Sequence, residues 1–432
     1  MTSIWTQTAR MPQFQPLKEN IHVDVLIIGG GMSGILCAYM LEKEGINYAL
    51  VEADRIGGGI TKDTTAKITF QHRLIYHKLI RKFGMEKARM YLEANREALE
   101  EYRRLCNTIR CDYEEKNAYV YSRNERKKLE MELEALEKLG YEAALIEEVA
   151  LPFKVAGAIR YQRQAEFHPL KFISELSKGL NIYEKTCVRE IEPHVAKTDG
   201  GDIRAEKMIV ATHFPFINKH GSYFLKMYQE RSYVIALKEA QDVNGLYIDE
   251  EKRGLSFRNV NNLLLIGGGG HRTGKQGGNW RELEQFIKTH YPVAKEEARW
   301  ATQDCMTLDG VPYIGQYSKR TPDFYVATGF NKWGMTGAMA AARILTDQIT
   351  GKENPNALLF SPSRHMFHPQ LAQNILEAAV HFCTITPKRC PHLGCALKWN
   401  PQEHTWDCPC HGSRFTKEGK RIDNPATGDL KK

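Results

Sequence analysis

No apolar run in the 432 residues approaches the roughly 20 that a helix needs to span a bilayer, so no integral membrane segment is expected. No block of Lys and Arg interleaved with aromatic residues occurs either, so nucleic acid is not an expected partner. The 60 Lys and Arg residues against 52 Asp and Glu leave a thinly spread net charge of +8, which at most favours acidic partners or substrates. Internal repeats and low-complexity tracts are missing. Met1 to Asn20 is polar and lacks an apolar core, so a secretory or transit segment of the usual kind is not expected, and a cytoplasmic location is. Cysteine is sparse along most of the chain. Cys37, Cys106, Cys111, Cys187, Cys305 and Cys383 are scattered and read as ordinary thiols. Cys390, Cys395, Cys408 and Cys410 crowd together near the end and need another explanation. What remains is an ordinary soluble composition, 42% hydrophobic and 26% charged, long enough for two or three domains.

The most informative stretch is Asp24 to Gly34. Its apolar run reads as a buried parallel strand and enters G-x-G-x-x-G at Gly29, Gly31 and Gly34, followed by helix from Ile35 to Lys43. The first glycine permits a tight turn, the second lets backbone approach a pyrophosphate, and the third lets helix and strand pack closely. Free N–H groups at the helix start, near Ser33, face the phosphate charge. A second strand, Asn47 to Val51, ends in Glu52 at the spacing of a ribose-binding carboxylate, with Ala53 after it. A dinucleotide site is expected. The small, polar, glycine-rich stretch from Asp54 to Lys67 includes Gly58, Gly59, Thr61, Thr65 and Ala66. It reads as a wrap around the ribityl chain and ring edge of a cofactor, or else as a surface loop.

Further along, Leu79 to Leu105 and Asn124 to Leu139 read as helices with solvated charged faces. Asp112 to Tyr121 and Val155 to Arg163 read as strands, and Pro169 opens a helix. Thr186 to Ile191, Lys207 to Thr212, Tyr233 to Ala240 and Leu263 to Ile266 read as strands, the last ending in a run of glycines. Phe324 to Phe330, a turn through Gly334, Met335 and Thr336, and a helix from Gly337 to Ile349 form a second strand–glycine–helix unit. Its helix start could aim positive dipole at an electron-rich ring oxygen. Gly351 to Pro362 reads as a linker and Leu371 to Phe382 as helix.

Taken in this order and spacing, these landmarks resemble the FAD-dependent oxidoreductases of the D-amino-acid oxidase type, which include glycine and sarcosine oxidases. The shared features are Gly29-x-Gly31-x-x-Gly34 with Glu52, Gly57-Gly58-Gly59, Thr186-x-Val188, and Ala211-Thr212. Asp309-Gly310-x-Pro312-x-Ile314-Gly315 and Ala327 to Phe330 with Gly334 complete them. The resemblance implies an α/β fold with a discontinuous Rossmann-type FAD domain (21–108, 166–213 and 300–352) and an inserted α+β substrate domain (109–165 and 214–299). Residues 1–20 form an arm and 353–382 a linker and helix. It also implies FAD as cofactor, hydride transfer from a small amine or amino-acid-like donor, Val188 beside the adenine, and Ala211 and Thr212 in the cofactor site. Gly329, Gly334, Met335 and Thr336 fall near the isoalloxazine. His271, Tyr233 and Arg258 are candidates for the donor pocket. The offset of Cys305 from Asp309 does not fit a covalent flavin tether.

The tail, 383–432, carries Cys390-x-His392 and Cys408-x-x-His411, two thiolates and two imidazoles on two short loops. That is the ligand set of a Rieske [2Fe–2S] centre, with the cysteines on one iron and the histidines on the other. A tetrahedral zinc site takes the same residue types. By resemblance to Rieske proteins of the respiratory type, Cys395 and Cys410 would form a loop-to-loop disulfide, and Ser413 would donate a hydrogen bond to cluster sulfur. Phe415 stands where high-potential relatives have Tyr, so an intermediate to high potential is expected. Only a few residues separate the preceding helix from Cys390, so a shortened or missing base sheet is expected. The arm, the Thr64 to Lys67 string and the tail together resemble bacterial flavoprotein oxidoreductases with a fused Rieske domain. The expected function is a dehydrogenase passing electrons from FAD through the cluster to an unknown acceptor. The alternatives are an oxidase using dioxygen with a structural or vestigial tail, and a redox sensor or electron-carrier module without turnover.

Overall fold

The computed structural model describes residues 2–217, 220–365 and 368–431. The opening strand, Ile21–Ile28, lies between Tyr48–Val51 and Asp202–Val210, parallel to both. Its last four residues are buried, as an interior parallel strand requires. Phe324–Thr328 and Ile182–Tyr183 extend the parallel order, Tyr313–Gln316 closes one edge antiparallel, and Val188–Glu192 with Val195–Thr198 completes eight strands. Helices Met32–Lys43 and Gly334–Ile349, each following a strand–glycine turn, pack against one another over this sheet.

A second, mostly antiparallel sheet has nine strands. Lys295–Thr307, Met227–Lys238 and Leu263–Arg272 form one end, Ser256–Val260, Leu246–Asp249, Glu114–Ser122, Gly157–Glu166 and Lys67–Ile68 follow, and Ala144–Ile146 pairs with Gly157–Glu166 as the ninth. Two stretches expected in the FAD-binding domain pair with this second sheet. Residue 300 falls inside Lys295–Thr307, which pairs along its length with Met227–Lys238, so the chain rejoins the first sheet only at Tyr313. Lys67–Ile68 crosses into the second sheet by pairing with Glu166 and Ala165. In this sheet Gly267, Gly268 and Gly269 lie in Leu263–Arg272 where neighbours leave no room for a side chain. A Cβ at Gly268 would lie 2.4 Å from Leu255 Cδ2. The helix expected from Leu79 to Leu105 is broken at Gly84, whose φ of +84° ends Tyr76–Phe83 and starts Met85–Cys106.

Helix Pro369–Cys383 leads into the tail, a four-stranded antiparallel sheet of three-residue strands, Lys398–Asn400, Thr405–Asp407, Arg414–Thr416 and Arg421–Asp423. The sheet is short, as expected, but present. Its own small core gathers Cys390, Cys395, Leu397, Cys408, Cys410, Phe415 and Ala426. Among the described residues no helix is long and apolar enough to cross a membrane.

Candidate functional site

A cavity of ≈ 1250 Å³ runs between the two sheets. At one end it is lined by Gly29, Gly31, Ser33, Glu52 and Ala53. Gly58, Gly59, Thr61, Thr65, Val188, Ala211 and Thr212 follow, and Gly334 and Met335 lie toward the other end. The local geometry explains the glycines. Gly29 sits at φ +114°, and a Cβ on Gly34 would lie 1.9 Å from the Gly29 carbonyl oxygen, so strand and helix meet only without a side chain there. At Gly31 the nearest atom to such a Cβ is Thr61 Oγ1 at 3.5 Å, which leaves the backbone open to the cavity. Glu52 accepts hydrogen bonds from Gly30 N at 2.7 Å and Asp54 N at 2.9 Å. Ser33 Oγ is buried and has no hydrogen-bond partner among the described residues. Gly34, Ala66, Gly329 and Thr336 do not line the cavity. Gly329 (φ +73°) packs on Thr307, Thr336 Oγ1 donates to Thr69 O at 3.1 Å, and the Ala66 carbonyl accepts from Arg258 at 2.9 Å.

The second sheet forms the facing wall. Because side chains alternate along a strand, Tyr228, Glu230 and Ser232 face the cavity from Met227–Lys238. Thr302, Asp304 and Met306 face it from Lys295–Thr307, and Glu230 and Asp304 are cross-strand partners. Two carboxylates in that relation repel unless a cation serves them. Lys332 does so, 3.1 Å from Glu230 and 3.1 Å from Ser232 Oγ, with Lys252 2.8 Å from Glu230. Burial alone would raise Glu230, but these two ammonium groups hold it down to about 2. Burial raises Asp304 to about 6 against a weaker pull from Lys332. His72, stacked on Trp333 with centroids 4.5 Å apart, is pushed down to about 3 by burial and is neutral. Neither Glu230, Asp304 nor Lys332 was marked by sequence pattern.

Of the donor-pocket candidates only Tyr233 lines this cavity, and its hydroxyl is bonded to His271 Nε2 at 2.9 Å and to Glu403 at 3.1 Å. His271 instead borders a smaller cleft of ≈ 600 Å³ against the tail, with Nδ1 held by Arg272 O at 2.9 Å. Arg258 is a buried ion-pair partner of Glu166 at 3.1 Å and donates to Thr65 O and Ala66 O at 2.7 and 2.9 Å. It pins the glycine-rich segment and does not reach the cavity.

In the tail, Cys390 to Cys395 and Cys408 to Ser413 are two hexapeptide loops built alike. In each, the glycine in fifth place donates to the carbonyl of the first cysteine at 2.9 Å, Gly394 to Cys390 and Gly412 to Cys408, with φ of +79° and +84°. In each, the first N–H donates to the carbonyl of the sixth residue at 2.9 Å. The loops face each other. The His392 and His411 rings are perpendicular with centroids 4.9 Å apart, and His411 Nδ1 is buried without a hydrogen-bond partner among the described residues. The sulfurs of Cys395, Cys408 and Cys410 lie within 4.8 Å of one another. Hydrogen bonds from Cys390, Cys395 and Cys410 hold the Cys408 thiol well below its ordinary range, as a thiolate ligand needs. Cys395 and Cys410, the pair expected as a loop-to-loop disulfide, stand close together as free thiols in the structure.

The tail is docked on the reverse face of the wall strand. Gln229 donates to His411 O at 2.7 Å, and Gln303 to Gly412 O at 2.9 Å. Arg231 pairs with Glu403, which also binds Arg414 at 2.6 Å, all three being largely buried. Arg272 donates to Pro409 O at 3.2 Å and Cys410 O at 3.3 Å.

A family model described as FAD dependent oxidoreductase matches residues 24–348. The chain belongs to that family. Residues 380–432 match the Rieske [2Fe-2S] domain. The Rieske-type iron–sulfur protein YhfW of Bacillus subtilis strain 168 is 35% identical over 99% of this chain and 96% of its own. The gamma-glutamylputrescine oxidoreductase of Escherichia coli K12 is 24% identical over 78% of this chain and 86% of its own. Glycine oxidase from Geobacillus kaustophilus shares the fold, with a TM-score of 0.67 at 20% identity over 80% of this chain and 100% of its own. The protein is an FAD-dependent oxidoreductase with a Rieske domain, and FAD and a [2Fe–2S] cluster are its cofactors. The residues present fit both groups. The orphaned Ser33 hydroxyl and open Gly31 backbone suit a pyrophosphate, and a buried His411 nitrogen beside a thiolate suits iron.

Proposed function

We propose that this oxidoreductase dehydrogenates a small amine or amino-acid-like donor and that the electrons leave through the Rieske centre. FAD accepts two electrons as hydride and can give them up singly, which suits a one-electron [2Fe–2S] carrier. Gly29, Gly31, Ser33 and Glu52 would hold the adenosine diphosphate part, Val188 the adenine, and Gly334 and Met335 the ring end. Cys390 and Cys408 would bind one iron, His392 and His411 the other.

The observation that carries the reading is the shared strand Met227–Lys238. One face, through Glu230 and Ser232, lines the cavity, while the intervening Gln229 holds the His411 loop and Arg231 pairs with Glu403 elsewhere in the tail. Gln229 also lies 3.2 Å from His213 Nε2, and His213 lines the cavity. One strand thus separates donor chemistry from cluster. An ionised Asp304 beside Glu230 suits a donor bearing an ammonium group. The names of the relatives point the same way, since glycine and gamma-glutamylputrescine both carry amino groups.

Anaerobic stopped-flow mixing with candidate amines tests the proposal. Flavin bleaching followed by loss of the oxidised-cluster absorbance is expected. A flavin that bleaches fully while the cluster never responds, with peroxide formed in air, would replace the relay by an oxidase.

A further inference from the structure

The tail does more than dock behind the wall strand. Its last strand and turn reach round into the cavity itself, where Arg421, Ile422, Asp423, Asn424 and Thr427 form part of the lining. They run along its length. Arg421 acts electrostatically on Cys187, and the Thr427 carbonyl accepts from Arg189 at 3.4 Å, so this end stands beside Val188. Asp423 acts on His213 and Cys305, which line the same cavity. Asn424 fastens the segment, its side-chain amide donating to Thr212 O and to Phe214 O at 2.9 Å, just past the end of Asp202–Val210. The same segment is tied to the cluster loops. Ser413 Oγ accepts from Ala426 N at 3.0 Å and hydrogen-bonds the Cys390 thiol, while Arg414 pairs with Asp423 at 3.2 Å and Gln229 donates to Asn424 O at 3.2 Å.

We propose that the Rieske segment is a structural part of the FAD site: Arg421 to Asn424 and Thr427 wall the bound nucleotide, so that FAD retention and cluster loading support each other. The inference rests on the reading that this cavity takes FAD. Coupling of this kind is reciprocal, because any free energy the loaded loops lend to the wall is returned when FAD binds against it. The Cys408 to Ser413 loop is the hinge of the coupling. It carries two proposed ligands at one end and, through Ser413, the anchor of the wall at the other.

The test measures FAD affinity of the full-length protein by quenching of FAD fluorescence, with the cluster followed separately by electron paramagnetic resonance of the reduced protein. Asn424→Ala removes the fastening while leaving the proposed ligands, and it should weaken FAD about tenfold with the cluster signal intact. Cys408→Ser, which should lose the cluster, should weaken FAD in the same direction. FAD affinity within about twofold of wild type in Asn424→Ala would overturn the proposal. Should that variant fail to fold by circular dichroism, Arg421→Gln with the same readouts decides in its place. A wild-type protein that binds no FAD is a separate failure, that of the underlying cofactor assignment.

Discussion

Gln229 and Gln303 interlock at the boundary between cavity and cluster: Gln303 Nε2 donates to Gln229 Oε1 at 2.7 Å, and each amide also donates to a carbonyl of the second cluster loop. Both side chains are buried, so each hydrogen bond lost leaves a desolvated partner behind. Gln229→Leu should therefore loosen the His411 loop. In anaerobic stopped flow with FAD kept saturating, the expected outcome is flavin reduction by donor near the wild-type rate with cluster reduction slowed about tenfold or more. Equal slowing of both phases would mean that Gln229 acts on the flavin site instead.

Glu403 is the counter-charge for two buried guanidinium groups, Arg231 and Arg414. Burial favours its neutral form, but the two cations hold it down to about 2. The folded value lies below the ordinary 4.5, so the stabilisation is present above about pH 4.5 and is lost as pH falls toward 2. Glu403→Gln leaves both arginines without their charge partner and should cost about 3 kcal/mol of stability. Calorimetry would show the lowered melting temperature at pH 7, with the gap to wild type narrowing in acid.

Asp304 gives a prediction with opposite sign. Its folded value of about 6 lies above the ordinary 3.8, so between these values the folded state holds more protons than the unfolded. Ionising Asp304 therefore costs stability as pH rises, and Asp304→Asn should raise the melting temperature at pH 8 but not at pH 3.5. Activity should move the other way. An ionised Asp304 can take the proton of a donor ammonium, so donor-dependent flavin reduction should rise through about pH 6 in wild type. In Asp304→Asn that limb should vanish and the rate should fall about 100-fold. A retained limb would assign the titration to a group other than Asp304.

What could be read in advance divides by sequence separation. Gly29, Gly31 and Gly34 declare themselves because the turn they build is local, and the cluster loops do so because each is a closed hexapeptide. Arg258 and His271 are the opposite case, since distant contacts place them. What occupies Arg258 is Glu166 and the Thr65 carbonyl, the latter 193 residues away. The bond from Gln229 to the His411 carbonyl spans 182 residues, and no local pattern encodes it. Asp304 and Glu230 become a pair only through the register of two strands. Residue 300, expected as a boundary, lies inside Lys295–Thr307, a single long strand whose partner, Met227–Lys238, is distant in the chain.

Ser413 is wholly buried and hydrogen-bonds the thiol of Cys390, a proposed iron ligand, while its oxygen accepts from Ala426 N. A hydrogen bond to a ligand sulfur withdraws electron density and favours the reduced cluster, so its removal should lower the potential. Ser413→Ala should shift the midpoint down by on the order of 50 mV, the equivalent of about 1 kcal/mol on a one-electron couple. Phe415, also wholly buried two residues on, offers the converse: Phe415→Tyr should raise the potential if its added hydroxyl reaches the cluster loops. Redox titration followed by electron paramagnetic resonance measures both. Because Ser413 also anchors the segment lining the cavity, Ser413→Ala should weaken FAD as well, whereas Phe415→Tyr should not. A Ser413→Ala protein with unaltered potential would place the serine's role in the scaffold alone.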